Sequence, residues 1–508
     1  MKLSRLNKCI LFFAVIFVNF VIMQSLQEYR LYAKEAEHLW LNDWMWIEQQ
    51  LFAPGGFAQV FTSFFTQFFQ FWGVGSLILS ILFGLSFALL FEIGQFFKLK
   101  DSFVSFWMFP LIFLILCNEH SYFNLKGHFA FTFSLLISYL FLRYFAQNSP
   151  WLKTFISIVF VVLGYALIGS SIVILATIVF LYELFVGKAW LNSASPLMVS
   201  VLCAGFSVKY KYYVDYETAM TPLQYYEWPT TYFFPLYAWI SVPVILVIGI
   251  LLNRDCSKRI NYLIFVGGVV AACISFVNMF WGVHNDRVYQ LRKDEWMARN
   301  KDWDGIIESH KNSKDPTPFI SYLNLALAEK GVLVQRMMEF NPYIVWSEEA
   351  KRYSPVLMTN DELSRDALKL QSCVFMRWGG SALANAQKSA FEANFLTPGN
   401  TDPIELQRLI VTNTIFDTSK TAEKYARRLA RTTFYKNSII SLVQLSLLVE
   451  DLRKTLPEED SFYMKTQIGK MLRDIVFQTP NNKVAAQFYE AYLIQTQDSV
   501  AYRLWKEL

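Results

Sequence analysis

Apolar residues in this chain come in long runs up to about residue 282 and in short periodic bursts after it. Runs at 9–26, 73–97, 103–118, 129–147, 192–208, 233–252 and 260–282 approach the roughly 20 apolar residues that cross a bilayer as a helix. The stretch 155–186 is almost unbroken, with Glu183 its only charge. It reads either as one long tilted helix or as two short ones meeting at Gly164 and Gly169-Ser170-Ser171. Basic residues decide, because they collect on the cytoplasmic side. A hairpin puts Lys2, Arg5, Lys8, Lys98, Lys100, Arg143, Lys153, Lys188, Arg254, Lys258 and Arg259 inside, and leaves Arg30, Lys34, Lys126, Lys209 and Lys211 outside. A single helix would turn the basic loop NRDCSKR outward. The hairpin is therefore expected, giving about nine spans with the N-terminus inside and the C-terminal region outside.

The connection 27–72 is too long for a turn. Its parts, YRLYAKEAEHLWLNDWMWIEQQLF and FAQVFTSFFTQFFQFW, join at Pro54-Gly55-Gly56. Phe57, Phe61, Phe64, Phe65, Phe68 and Phe69 recur at helical spacing and form a broad aromatic face. The pattern predicts two amphipathic helices along the membrane surface with a sharp break between them. Glu28, Glu35, Glu37 and Asp43 would then sit at the water–lipid boundary among Trp40, Trp44 and Trp46. Two further outer loops are polar. Residues 118–128 hold Glu119, His120, Lys126 and His128; residues 209–232 set Asp215, Glu217 and Glu227 among tyrosines and tryptophans.

From about Asp286 the pattern becomes short amphipathic helices in pairs, such as NKDWDGIIESHK, ISYLNLALAEKGVL and SALANAQKSAFEANFLTPGN. Small residues alternate with large ones (Leu325, Ala326 and Gly331; Ala382, Ala384, Ala386 and Ala390), with Pro or Gly in the turns. This resembles degenerate tetratricopeptide-like helical hairpins, an α-solenoid. Such a domain binds partners through its concave face or covers the outer loops. The fold class expected is all-α: a polytopic membrane domain (1–282) with two interfacial helices, followed by a periplasmic helical-repeat domain (283–508).

Composition agrees with that division. Of 508 residues, 54% are hydrophobic and 17% charged, against about a quarter charged in soluble domains. The net charge of +5 is scattered, which excludes a nucleic-acid partner. Six cysteines without a CxxC support neither a disulfide framework nor a zinc site. MKLSRLNK followed by CILFFAVIFVNFVIM lacks a small-residue cleavage site, so it is expected to stay as an uncleaved span. No P-loop, GxGxxG after a strand, GxSxG or HExxH occurs.

The acids of the first outer loop come closest to chemistry. Glu28 stands about one turn past the first span, and Glu35 follows on the same helical face. A carboxylate there could take the proton of an acceptor hydroxyl while a lipid-linked sugar leaves. The plainer reading is that surface helices carry acids for solvation, and that Asp43, flanked by tryptophans, simply reaches water. Glu119 and His120 could supply a second acid, a divalent-metal ligand or a diphosphate contact, or only cap a helix end. Lys126 and His128, with Arg30 and Lys34, could neutralise a pyrophosphate leaving group by charge-assisted hydrogen bonds.

A long first outer loop with an acid just past the first span, and an acid between spans three and four, resembles the GT-C superfamily of polytopic glycosyltransferases and oligosaccharyltransferases. That resemblance covers about residues 1–282. It implies a polyprenyl-phosphate-linked donor and a periplasmic protein or glycan acceptor, protein O-glycosylation included. It places the catalytic acid on Glu28, with Glu35 and Asp43 as substitutes, and a second acidic position on Glu119. Neither an Asp-Glu nor a DxD pair stands in the first loop, and no WWD occurs in the C-terminal region. LFAPGGFAQVFTSFFTQFF, NKDWDGIIE and LNLALAEKG resemble a second family: bacterial inner-membrane polytopic proteins with a repeat-like C-terminal domain. That likeness assigns no activity. The competing expectation is a membrane-anchored scaffold that recruits envelope proteins.

Overall fold

In the computed structural model the regular elements among the described residues are helices apart from one short antiparallel strand pair, Ile344–Ser347 with Arg352–Pro355. The all-α expectation did not include that pair. The structure describes residues 5–507 except 121–122, 188–193, 214, 227–233, 253–256, 314–315, 343, 348–351, 356–363, 417–418, 439–441, 455, 457–462 and 464–466. Lys2, Lys188, Glu227 and Arg254 thus lie outside the described residues. Two compact units emerge: 1–35 with 43–285, and 36–42 with 286–508.

Among the described residues five helical stretches are long and apolar enough to cross a membrane: Leu6–Glu37, Val74–Phe96, Pro150–Gly187, Phe234–Leu251 and Arg259–Val283. Asp101–Cys117 and Ser195–Lys209 are shorter apolar helices, and Lys126–Tyr144 is a more polar one. Pro150–Gly187 is not one rod. At Gly169 the backbone takes φ +78° and ψ −150°, and Lys153 Nζ lies 2.7 Å from Glu183 Oε1. Thirty residues of continuous helix would separate those groups by about 45 Å. The stretch therefore reverses, and a Cβ on Gly164 would stand 2.4 Å from Ile172, which is why the bend keeps a glycine there.

The 27–72 connection departs from the surface-helix expectation. The opening helix does not stop near residue 26. It passes through a π turn, Met23–Gln27, and continues as Glu28–Glu37. Leu31, Tyr32, Lys34 and Glu35 on that extension are buried, so it is an interior element and not a surface one. Two short helices follow, Trp44–Leu51 and Gly56–Thr66. Asp43 caps the first by accepting from Met45 N–H, and Gly55 at φ +82° makes the expected break. The aromatic face is shared between two surroundings. Phe61 and Phe65 turn toward Phe129 and Phe133 of Lys126–Tyr144, with centroids 5.0–5.9 Å apart, while Trp44, Phe52, Phe64 and Trp72 stay exposed.

The second unit is a succession of helices, among them Asp286–Arg299, Trp303–His310, Tyr322–Glu329, Arg365–Trp378, Ala382–Phe395, Pro403–Ile415, Ile468–Gln478, Lys483–Gln495 and Ser499–Lys506. Side chains of Asp302, Ser321, Ser364, Asp402, Asn482 and Asp498 cap their helices, each satisfying an orphan N–H. The alternating small residues Ala326, Ala382, Ala386 and Ala390 are fully buried. Trp378, Phe488 and Phe319 form an aromatic centre with centroids 5.1 and 5.7 Å apart. Residues 36–42 are part of this unit: Asn42 N–H donates to Arg431 O (2.7 Å) and Glu37 pairs with Arg365 (2.5 Å). Polar positions expected to face water are partly interior. Lys369 lies 2.6 Å from Asp402 and 3.4 Å from Glu295, and Arg292 3.3 Å from Asp366, all of them buried or nearly so.

Candidate functional site

The π turn inserts an extra residue into the helical phase, a distortion that recurs at functional sites. Here it presents Gln27 and Arg30 to the loop that follows Met108–Cys117. Gln27 Nε2 donates to Ile115 O (3.0 Å) and to Glu119 Oε1 (2.9 Å). The other carboxylate oxygen, Oε2, receives Arg30 at 3.0 Å and His284 Nδ1 at 2.7 Å. Arg30 also donates to the carbonyls of Glu119 (2.9 Å) and Asn285 (3.2 Å). Asn118 Nδ2 donates to Gln27 Oε1 (3.1 Å), and its Oδ1 stands 2.8 Å from His128 Nε2.

These bonds have a direction. Asn118 Oδ1 can only accept, so His128 carries its proton on Nε2. Donation then runs from His128 through Asn118 and Gln27 to Glu119, and from the opposite side through His284 and Arg30. Glu119 faces partners at both oxygens and its side chain is fully buried, so it is held in place. Lys34, also buried, donates to Phe123 O at 2.7 Å.

A model of a family of unknown function, DUF6057, matches residues 2–501. The chain belongs to DUF6057. No curated protein and no solved structure matches it.

The residues singled out in this DUF6057 chain fall into different settings. Glu28, one residue past the π turn, is half-buried and accepts from Tyr32 O–H at 2.8 Å. Glu35 is 1% exposed on the same helix. Asp43 is a helix cap, and Glu119 is the centre of the buried network. Arg30, Lys34 and His128 are buried, while His120 and Lys126 are half-buried. Burial, with Arg30 and Lys34 nearby, outweighs the pull of Glu119 on His120 and takes its pKa down to about 4; at neutral pH it is an uncharged imidazole. His120 rests against Tyr226 and Phe234.

Gln27, Asn118 and His284 were not singled out from the sequence. The signal was thin: one amide at the end of an apolar run, one beside Glu119, and one histidine just after the last span. Among the described residues no group of three or more His, Cys, Asp or Glu side chains could hold a metal ion. Glu119 does not fit the metal-ligand role either, since both its oxygens already face donors.

Proposed function

We propose that this protein is an inner-membrane glycosyl- or oligosaccharyltransferase of the GT-C type. It would have about nine spans, a cytoplasmic N-terminus and a periplasmic α-solenoid-like C-terminal unit. It moves a sugar or glycan from a polyprenyl-phosphate carrier to a periplasmic acceptor, a protein hydroxyl among the candidates, and the helical unit holds that acceptor or a partner. The observation that carries this reading is the contrast between two carboxylates. Glu119 is buried and saturated by donors, so its role is to hold the opening helix. Glu28 stands at the end of the same π turn, half-open, with Tyr32 as its recorded partner. A carboxylate fixed in that way suits a general base that takes the acceptor's proton. In this reading Lys126 and His120, both half-buried, would meet the leaving phosphate.

The test is Glu28→Gln in cells, scored for envelope glycans at normal protein levels, beside the purified variant in a transfer assay. Loss of transfer with an unchanged unfolding temperature is expected. Full transfer in Glu28→Gln would refute the assignment of the base.

The second reading is a membrane-anchored scaffold that recruits envelope proteins. Burial of Arg30, Lys34 and Glu119 favours it, because those groups are occupied by internal partners. Normal glycans in the Glu28, Glu35, Asp43 and Glu119 alanine variants, with function lost only on deletion of 290–508, would establish the scaffold instead.

A further inference from the structure

The last three helices of the second unit, Ile468–Gln478, Lys483–Gln495 and Ser499–Lys506, enclose a cleft of about 520 Å³. Small-molecule sites usually fall between about 300 and 1,000 Å³. Its apolar side is aromatic. Trp505 meets Tyr489 edge to face at 5.5 Å, and Phe477 closes the opposite wall with 53% of its surface exposed. Its polar side comes from one helix: Arg473, Asp474 and Gln478. Tyr463 O–H donates to Asp474 Oδ2 at 2.6 Å and so fixes that carboxylate. Oδ1 has two long contacts with Arg473, from Nε at 3.4 Å and Nη2 at 3.5 Å.

We propose that this cleft is a carbohydrate subsite that takes a neutral pyranose ring. The ring's C–H face packs on Trp505, whose π face carries partial negative charge, while the buried Tyr489 stands edge to face with Trp505 and backs it. Its hydroxyls meet planar groups of both polarities: Asp474 Oδ1 accepts, Arg473 donates, and Gln478 does either. Arg473 and Asp474 cancel in charge, which disfavours a phosphate or another polyanion. An amphipathic helix is the less suitable occupant, because its apolar face would lie against the Arg473–Asp474 pair and leave the remaining hydrogen-bonding capacity of both groups unmet. The inference does not depend on the transfer reading, since a scaffold that recognises envelope glycans would use the same cleft.

The experiment is saturation-transfer NMR on the full chain in lipid nanodiscs, with mannotriose and chitotriose as probes. Saturation on the ring protons of at least one sugar is expected. It should fall by at least about fivefold in Trp505→Ala and in Asp474→Asn. Phe391→Ala, an exposed aromatic elsewhere in the unit, should leave the signal unchanged. Asp474→Asn guards against a Trp505 variant that unfolds, since the amide still accepts from Tyr463. No saturation of either sugar by the wild type would overturn the proposal. So would a signal that persists in both cleft variants. Absence of sugar binding, together with loss of self-association in Trp505→Ala, would assign the cleft to protein docking instead.

Discussion

The two units bury charge in opposite ways. In the membrane unit one buried carboxylate gathers several partners, since Arg30, His284 and Gln27 all serve Glu119, and Lys153 with Glu183 stands apart as a separate pair. In the helical unit they are spread over several small groups, such as Lys369 with Asp402 and Glu295, Arg408 with Glu405, and Arg292 with Asp366. The convergent design links helices far apart in sequence through a single group. The distributed design ties neighbouring helices of an array and tolerates local loss. Arg292 shows the looser fit of the second kind: its two terminal nitrogens are buried without a hydrogen-bond partner. The difference suggests that the first network holds one geometry for function, whereas the second mainly sets which helix packs on which.

Removing the shared acceptor should have the largest effect. Glu119→Leu leaves Arg30 charged and buried with one acceptor fewer, at a cost of about 3–5 kcal/mol. Thermal unfolding in nanodiscs should show the loss, with Glu119→Gln losing less because its carbonyl still accepts. An unchanged midpoint in Glu119→Leu would end the claim that this network is the convergent one. In the helical unit, Arg292→Met alone should cost about 3 kcal/mol, by leaving Asp366 buried without its closest cation. Adding Asp366→Leu should restore most of that loss, because an apolar pair replaces one that was incompletely satisfied. If the double variant is no better than the single one, the distributed pairs are as tightly specified as Glu119.

The same pair predicts a pH dependence. Burial works against ionisation of Asp366, but Arg292, Arg365 and Lys369 overcome it and hold its pKa down at about 2, against 3.8 for the free side chain. The folded state therefore binds this proton less well than the unfolded chain does. The stability it contributes is fully present above about pH 4 and is lost as the pH falls toward 2. That amounts to about 2 kcal/mol for one such group. Urea unfolding followed between pH 5 and 2 checks it, and the slope should flatten in Asp366→Asn.

Much of the membrane unit was legible because run length and hydropathy are local properties. The hairpin at Gly169 was legible too, since loop charge and a glycine cluster pointed to the same bend. The networks were not. Gln27 and Glu119 are 92 positions apart and His284 and Glu119 are 165 apart, and no periodicity marks such partners. Along Glu28–Glu37, acids and bases alternate as they would on a solvated surface helix, yet Arg30, Lys34 and Glu35 are each 1% exposed. Burial by partners from distant loops overrode the pattern. In the helical unit, too, charge is interior: Lys369 is 3% exposed and closed in by Asp402 and Glu295.

The smallest effect separates structure from chemistry most cleanly. Asp43 and Glu28 are both acids of the 27–72 connection, and the GT-C resemblance puts the base on Glu28 with Asp43 as a substitute. Asp43 already has work: at φ −141° and ψ 118° it stands just before Trp44–Leu51 and accepts from Met45 N–H at 3.2 Å. Asp43→Ala should cost about 1 kcal/mol, the usual value of a helix cap, and Asp43→Ser should recover most of it, because a hydroxyl caps as well. Neither substitution should change glycan transfer beyond what the stability loss explains, whereas Glu28→Gln should abolish transfer without moving the unfolding midpoint. If transfer collapses in Asp43→Ser while the helix stays capped, the two carboxylates exchange roles, and the base lies beyond the π turn rather than at it.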